Sequence, residues 1–270
     1  HFIFRNSDGT IALPNNHLKN IECDILYHLG MDTNSYDLPK LFGDVKFICM
    51  GGTKYRMREF AEHISTILPE YKVQGKLVNL SKHSHRYAMY KVGPVLSHGI
   101  GIPSMTVVLQ EVIKLLAYAK AVNPVIFRIG TCGGLDLPPG SVVISSHGIN
   151  GALEKSYDLH SEEDKYHFLK KLNAMGVKNI EMEATAFAAM TSEAGLRAAD
   201  VCVTLIDRLL GDQVSSLHTW QYCKNKYLYY NIPIGSGRPT LSLPYVVFTS
   251  EPVYSIVHRF CERHVQLHTI

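Results

Sequence analysis

The sequence has few charged residues and no closely spaced cysteines, and each shortage narrows the possible ligands. Charged residues make up 19% of the 270 residues and the formal net charge is only +3. No lysine/arginine cluster has the pattern of a nucleic-acid surface. The six cysteines include no C-x-x-C pair, so zinc-ligand spacing is missing and free thiols are expected. We therefore expect no nucleic-acid partner and no metal, whereas small anions remain possible ligands.

Long apolar runs are also missing. None reaches membrane-spanning length, and the N-terminal residues lack the basic-then-apolar pattern of a secretion signal. We therefore expect a cytoplasmic protein with no membrane partner. At 46% hydrophobic residues, the chain can bury a substantial core as one large or two modest domains.

Residues 125–135 combine a buried strand with features of an anion site. The stretch is apolar and of strand length, yet it contains Arg128 and then three glycines, which predict a turn. An arginine in a buried strand is unfavourable unless an anion meets it, and glycines let backbone N–H groups approach a ligand. An arginine that surfaces beside an ordinary turn explains the stretch equally well.

A second candidate anion site follows the strand predicted at residues 45–50. Gly51 and Gly52 form a turn there, and a helix begins near Arg56. Free N–H groups at a helix start favour phosphate. The spacing fits neither the dinucleotide nor the Walker pattern. A plain strand-to-helix turn is the competing interpretation, although Arg56 is well placed to meet an anion.

A third glycine loop covers residues 97–104, before a clear amphipathic helix. His98 lies beside two of its glycines. The histidine could be catalytic, but a histidine that holds a loop through its ring nitrogens is commoner.

Acidic and strand-end residues complete the candidates. Glu181 and Glu183 are two residues apart and so do not share a helix face. On extended backbone they would lie on the same side, and one could bind ligand hydroxyls. A buried strand predicted at residues 201–206 ends at Asp207 and Arg208, where ligand contacts of α/β sheets tend to lie. His17 lies in a polar stretch, which by itself predicts a solvated histidine.

Five motifs in this order resemble those of the uridine phosphorylases, most strongly the animal branch, from the N-terminus to Gln213. They are residues 51–56, 86–90, 97–104, 128–134 and 179–183. The resemblance implies an α/β fold: a three-layer sandwich with a central mixed β-sheet flanked by helices, as in nucleoside phosphorylases. We predict that this domain spans residues 1–216. The tyrosine-rich, Pro/Gly-punctuated residues 217–270 form a divergent C-terminal segment, in the same domain or partly irregular.

The resemblance also implies the roles of individual residues. The catalytic residues would be Arg56, Arg128 and Glu183. Phosphate would contact Gly52, Arg56, Arg128 and Thr131, together with Arg86 of a neighbouring subunit. Ribose would contact Met182, Glu183, Thr131 and a partner's His17. The base pocket would be Leu205, Ile206 and Arg208.

The implied reaction is phosphorolysis of uridine to uracil and ribose 1-phosphate, a pentosyl transfer of pyrimidine salvage. It needs no cofactor and no metal, because inorganic phosphate is a co-substrate. The implied partners are the nucleoside, phosphate and a second copy of the chain, in a homodimer with sites shared across the interface.

The chain departs from the family in one important place. Relatives have a much longer segment between the strand at residues 142–144 and the helix that begins near Asp164, and it supplies a Gln-x-Arg pair for uracil. Here only residues 145–163 connect the two, so activity could be impaired. The alternatives are an inactive nucleoside-binding paralogue or splice form and, less favoured, a hydrolytic nucleosidase. A hydrolase has no use for three arginines at the nucleophile.

Overall fold

The computed structural model describes residues 5–13, 15–67, 75–92, 95–149 and 161–212. The predicted boundary at residue 216 and the predicted segment 217–270 lie outside these ranges. None of the helices within them is long and apolar enough to cross a bilayer.

Nine strands, five α-helices and one short 3-10 helix are assigned in the described ranges. The strands are β1 (Ile25–Leu26), β2 (Met31–Asp32), β3 (Phe47–Gly51), β4 (Met89–Tyr90), β5 (Val95–Ser97), β6 (Val125–Gly134), β7 (Val142–Ile144), β8 (Asn179–Ile180) and β9 (Arg197–Asp207). The α-helices are α1 (Leu38–Phe42), α2 (Lys54–Ile67), α3 (Ile102–Tyr118), α4 (Glu162–Ala174) and α5 (Ala184–Glu193), and the 3-10 helix is Asn16–Asn20.

Seven of the strands form one mixed sheet, as the resemblance implies. Its order is β4-β5-β3-β6-β9-β7, with β8 paired to β6. Strands β5, β3 and β6 run parallel, whereas β4, β7 and β8 pair antiparallel with their neighbours. Every residue of β3 is buried, as expected for a parallel strand covered on both faces. The predicted mixed α/β architecture is confirmed.

The chain divides into two compact units. The N-terminal unit comprises His1–Ile129 and Met182–Ala199, and the C-terminal unit comprises Gly130–Glu181 together with the chain from Asp200 onward.

The N-terminal unit is organised around α3. Gly101 precedes this helix and Pro103 lies in its first turn, where proline's missing N–H leaves no bond unmade. The helix buries an apolar stripe at helical spacing: Met105, Val108, Leu109, Val112, Leu115 and Leu116. Each such side chain contributes roughly 1.5–3 kcal/mol by burial. This packing makes a stable base for the loops at both ends of the helix.

The C-terminal unit is built from shorter pieces. Ser161 and Asp164 form a reciprocal capping box at the start of α4, as the sequence predicts. The helix buries Leu169 and Leu172 against Leu135. A separate cluster joins Cys132, Leu137, Val143 and Cys202. This second cluster joins residues of β6, β7 and β9.

One local prediction is wrong. The glycines after Ile129 do not form a turn, because β6 continues through Gly134. Gly133 and Gly134 pair antiparallel with Ile180 and Asn179. The lack of side chains at the glycines instead gives room to neighbours: a Cβ on Gly134 would lie 2.8 Å from the Leu137 carbonyl oxygen.

Candidate active site

Two loops of the N-terminal unit follow the parallel strands β3 and β5, and β3 is also in register with β6. Gly51 is paired with Ser97 of β5 and with Ile129 of β6. The backbone N–H of His98 donates to the Gly51 carbonyl at 2.8 Å. The carboxyl ends of adjacent parallel strands form the edge where α/β folds bind ligands. Residues 51–52 and 98–101 and Arg128 therefore lie at one edge of this unit.

Arg56 is positioned by the first turn of α2. Its backbone N–H and its Nε both donate to Oγ1 of Thr53, each at 3.3 Å. Its Nη2 lies against Gly52, since a Cβ added there would be 2.9 Å away. Glycine at this position therefore makes room for the guanidinium beside the turn.

Arg128 and Glu183 form a buried ion pair. Nη2 of Arg128 donates to Oε2 of Glu183, and the residues are 2% and 5% exposed. The second carboxylate oxygen accepts the backbone N–H of Gly101. Gly101 has no side chain to cap α3, so Glu183 supplies an anion at the positive end of that helix. Two residues that are 55 positions apart in the sequence thus form one ion pair.

Two glycines shape the loop that carries His98. Gly99 has φ of +76° and Gly101 has φ of +84°, a backbone region that side chains disfavour. A Cβ on Gly99 would also lie 2.2 Å from Oγ of Ser104. The glycine loop predicted here is confirmed, with both glycines required by backbone conformation or space.

His98 is buried among these charges. The residue is 1% exposed, and neither ring nitrogen has a hydrogen-bond partner among the described residues. Burial, and then the positive charge of Arg128, lower the pKa of His98 to about 4; Glu183 opposes this shift, and Arg56 adds a smaller lowering effect. The ring is therefore neutral at pH 7. The interpretation that this histidine holds the loop through its ring nitrogens stays a prediction; the hydrogen bond that ties residue 98 to Gly51 is made by its backbone N–H.

The other residues predicted for this unit are exposed. Met182 is 60% exposed, and Arg86 and His17 are also exposed. No described hydrogen bond or ion pair joins any of them to the cluster of Arg56, His98, Arg128 and Glu183. Their predicted roles in binding phosphate and ribose remain predictions.

The candidates of the C-terminal unit are half-buried: Thr131, Leu205, Ile206 and Arg208. Arg208 packs over Gly133, since a Cβ there would lie 2.6 Å from its Cγ. Nη1 of Arg208 pairs with Oδ1 of Asp212 at 2.8 Å, and Asp212 also pairs with Lys165. Lys165 and Arg208 hold the pKa of the Asp212 carboxyl below its usual range. Arg208 thus has an acidic partner already.

Known proteins share both the sequence and the fold. The Phosphorylase superfamily matches residues 46–168. Uridine phosphorylase 1 of Mus musculus is 36% identical, over 79% of this chain and 88% of the mouse protein. An inactive uridine phosphorylase B of Schistosoma mansoni is 30% identical, over 76% and 88% of the two chains. A structure from a study of Phytophthora capsici uridine phosphorylases covers 79% of this chain and 92% of its own, with 32% identity and a TM-score of 0.73.

This chain belongs to the uridine phosphorylase family. The family is one of pentosyltransferases. The alignment with the mouse protein runs over 272 positions but draws on only 79% of the 270 residues, so many residues of that relative have no counterpart here. This agrees with the predicted loss of an internal segment. Its location between residues 145 and 163 remains a prediction, because residues 150–160 lie outside the described ranges.

One group in the C-terminal unit has metal-ligand character. Single ligand atoms of Glu181, Asp200 and Cys202 lie within 4.8 Å of one another. The Cys202 thiol is 3.8 Å from Oδ1 of Asp200. Proximity alone does not distinguish a metal site from a hydrogen-bonded cluster, so no role is assigned to the group.

Two features of the site differ from what the sequence predicts. The sequence predicts His98 mainly as a residue that holds its loop, and it does not predict the contact of the Gly101 N–H with Glu183. The glycine pair around residues 98–101 was the available signal, since such loops expose backbone N–H groups. What the sequence could not give was the distance from that loop to Glu183.

Proposed function

We propose that this chain catalyses phosphorolysis of uridine by inorganic phosphate, giving uracil and ribose 1-phosphate. The observation that carries the proposal is the group formed by half-buried Arg56 and buried His98, Arg128 and Glu183 at one edge of the sheet, in a member of the uridine phosphorylase family. Two arginines, beside glycine loops that expose N–H groups, suit a doubly charged oxyanion.

The arginines would hold the nucleophile. A phosphate oxygen forms a new bond to C1′ of ribose, and the C1′–N1 bond breaks with its electron pair leaving on uracil. The uracil anion then gains the proton that phosphate gives up, by way of solvent. Positive charge develops on the sugar in such a reaction, so a fixed phosphate beside C1′ supplies both positioning and electrostatic stabilisation.

Glu183 would bind the sugar. A carboxylate has about four acceptor positions, and in this proposal the Glu183 carboxylate accepts from the 2′- and 3′-hydroxyls. In this proposal Thr131 contributes to both phosphate and ribose, Met182 packs on the sugar, and a partner's His17 meets the 5′-hydroxyl.

The exposed positions of Arg86 and His17 support a shared site. In a homodimer each would act on the neighbour's substrate, which explains why neither contacts the cluster of its own chain. We accordingly propose a cytoplasmic homodimer that needs no metal or cofactor.

A second candidate function is nucleoside binding without turnover. Three observations favour it: the salt bridge that occupies Arg208, the unmatched residues of the mouse relative, and the similarity to a relative named inactive. A site that lacks hydrogen-bond partners for its base loses orders of magnitude in rate. Leu205, Ile206 and Arg208 would then be the remaining base contacts.

Purified protein incubated with uridine, with and without phosphate, tests these proposals. We expect uracil only when phosphate is present, with a loss of roughly ten- to a hundredfold in Arg56→Ala, since each charged contact contributes about 1.5–3 kcal/mol. Arg58→Ala, which removes an exposed arginine two positions further along α2, is the matched control and should behave as wild type. Uracil release without phosphate would indicate a nucleosidase. Calorimetric nucleoside binding without any uracil release would support the inactive alternative.

A further inference from the structure

His98 is a buried titratable group to which the proposed reaction assigns no role. Leaving a buried polar group without a partner costs about 1–3 kcal/mol, so such groups are rare in native proteins. Neither nitrogen of this ring has a partner in the described parts of the chain. An unpartnered buried group of this kind calls for an explanation, such as a catalytic role or a bound ion.

The charges that face His98 come from three different elements. Arg56 acts from α2, Arg128 from β6, and Glu183 from the start of α5. Within its own loop the carbonyl of Gly99 acts in the same direction as Glu183. Burial and the two arginines outweigh both, which keeps the free ring uncharged.

An oxyanion bound by the same arginines would reverse this balance. Negative charge beside an imidazole favours its protonated form, commonly by one to three pKa units. A neutral imidazole offers one donor, whereas the protonated ring offers two. Protonation would therefore give the anion a further hydrogen-bond donor.

We propose that the imidazole of His98 contacts the bound phosphate and takes up a proton as that anion enters the site. The inference rests on the proposed function, since it needs an anion at Arg56 and Arg128. It makes His98 a phosphate-binding residue whose charge depends on occupancy. Phosphate binding would then be coupled to the uptake of up to one proton per site.

Nuclear magnetic resonance of the full chain with ¹⁵N-labelled histidine tests this directly. His98→Gln identifies the His98 signal, and spectra are followed between pH 5 and 8 without anion, with saturating phosphate and with saturating sulfate. Sulfate is included because its own charge does not change over this range. We expect a neutral ring without anion and a pKa raised by about one to three units with either anion.

Calorimetry of anion binding in two buffers with different ionisation heats supplies a second readout. We expect wild-type protein to take up protons on binding sulfate near pH 6. His98→Gln should take up none and should bind phosphate roughly tenfold more weakly, as for one charged hydrogen bond. His167→Gln, which changes an exposed histidine of α4, is the matched control and should retain both properties.

The outcomes separate the inference from the proposed function. If wild-type protein binds phosphate and sulfate while His98 stays neutral with an unchanged signal, the inference is wrong and the proposed function stands. If wild-type protein binds neither anion, the proposed function fails and the inference fails with it. Both decisions use wild-type protein, so a poorly folded variant cannot obscure them.

Discussion

The ion pairs of the two units differ in burial. In the N-terminal unit the side chains of Arg128 and Glu183 are 3% and 7% exposed. In the C-terminal unit the side chains of Arg208 and Asp212 are 36% and 34% exposed. Burying an ion pair carries a large desolvation penalty, whereas an exposed pair contributes little to stability. The comparison teaches that burial fixes the charged pair proposed to act at phosphate and ribose, while the arginine proposed to contact the base remains accessible to solvent.

The largest expected effect tests this contrast in burial. Arg128→Met would leave the Glu183 carboxylate buried without its arginine, which should lower the free energy of unfolding by about 3–5 kcal/mol. Arg208→Met, the matched change in the exposed pair, should lower it by less than about 1 kcal/mol. Urea denaturation of both variants measures the difference. Equal losses would mean that burial does not distinguish the two pairs.

The next effect concerns the pH dependence of stability. The pKa of His98 is about 4 in the folded chain and about 6.5 when unfolded. As the pH falls below 6.5, the imidazole is protonated in the unfolded state but stays neutral in the folded state. The free energy of unfolding therefore decreases between about pH 7 and 4. The loss from this residue amounts to up to about 3 kcal/mol.

His98→Gln lacks this titration, so its free energy of unfolding should fall less steeply on acidification than that of wild type. His167→Gln serves as the control with an exposed histidine. Denaturation in phosphate- and sulfate-free buffers from pH 7 to 4 makes the measurement. Parallel pH profiles for wild type and His98→Gln would argue against a buried neutral imidazole.

A smaller effect compares one glycine from each unit. Gly99 and Gly176 both have positive φ, +76° and +89°. A Cβ on Gly176 would meet nothing within 4 Å, whereas one on Gly99 would lie 2.2 Å from Oγ of Ser104. Gly176→Ala should therefore lose about 1 kcal/mol of stability and Gly99→Ala about 2 kcal/mol or more.

Phosphate binding also distinguishes the two glycines. Phosphate affinity should fall in Gly99→Ala alone, because only Gly99 belongs to the loop that carries His98. Thermal unfolding and phosphate calorimetry of both variants provide the two readouts. Wild-type phosphate affinity in Gly99→Ala would remove this loop from the proposed site.

The smallest expected effect lies on the base side. Arg208→Ala should raise the KM for uridine a few-fold, as expected for a solvent-screened contact, and leave the KM for phosphate unchanged. Steady-state kinetics with each substrate varied in turn would show this. A larger change in the phosphate KM than in the uridine KM would mean that Arg208 acts on phosphate rather than on the base.

Local sequence patterns predicted much of the N-terminal unit. Amphipathic spacing located α3, and the strand–glycine–helix pattern around Gly52 and Arg56 located one candidate anion-binding loop of this unit. These features depend on residues near each other in the chain. They could therefore be inferred before any long-range contact was known.

Long-range pairing accounts for most of what the sequence could not reveal. The strand character of Gly133 and Gly134 depends on pairing with β8, some 45 residues later, so local glycine content misleads. The state of His98 depends on the arrangement of Arg56, Arg128 and Glu183 around it. The resemblance to uridine phosphorylases named Glu183 and Arg128 individually, but only the fold shows that they form one buried pair.

Phosphorus-31 resonance of the wild-type chain with uridine and inorganic phosphate tests the central claim most directly. The account predicts that inorganic phosphate disappears as ribose 1-phosphate and uracil appear in equal amounts. Uracil formation with no loss of inorganic phosphate, or no uracil formation by folded protein that binds phosphate, would contradict it.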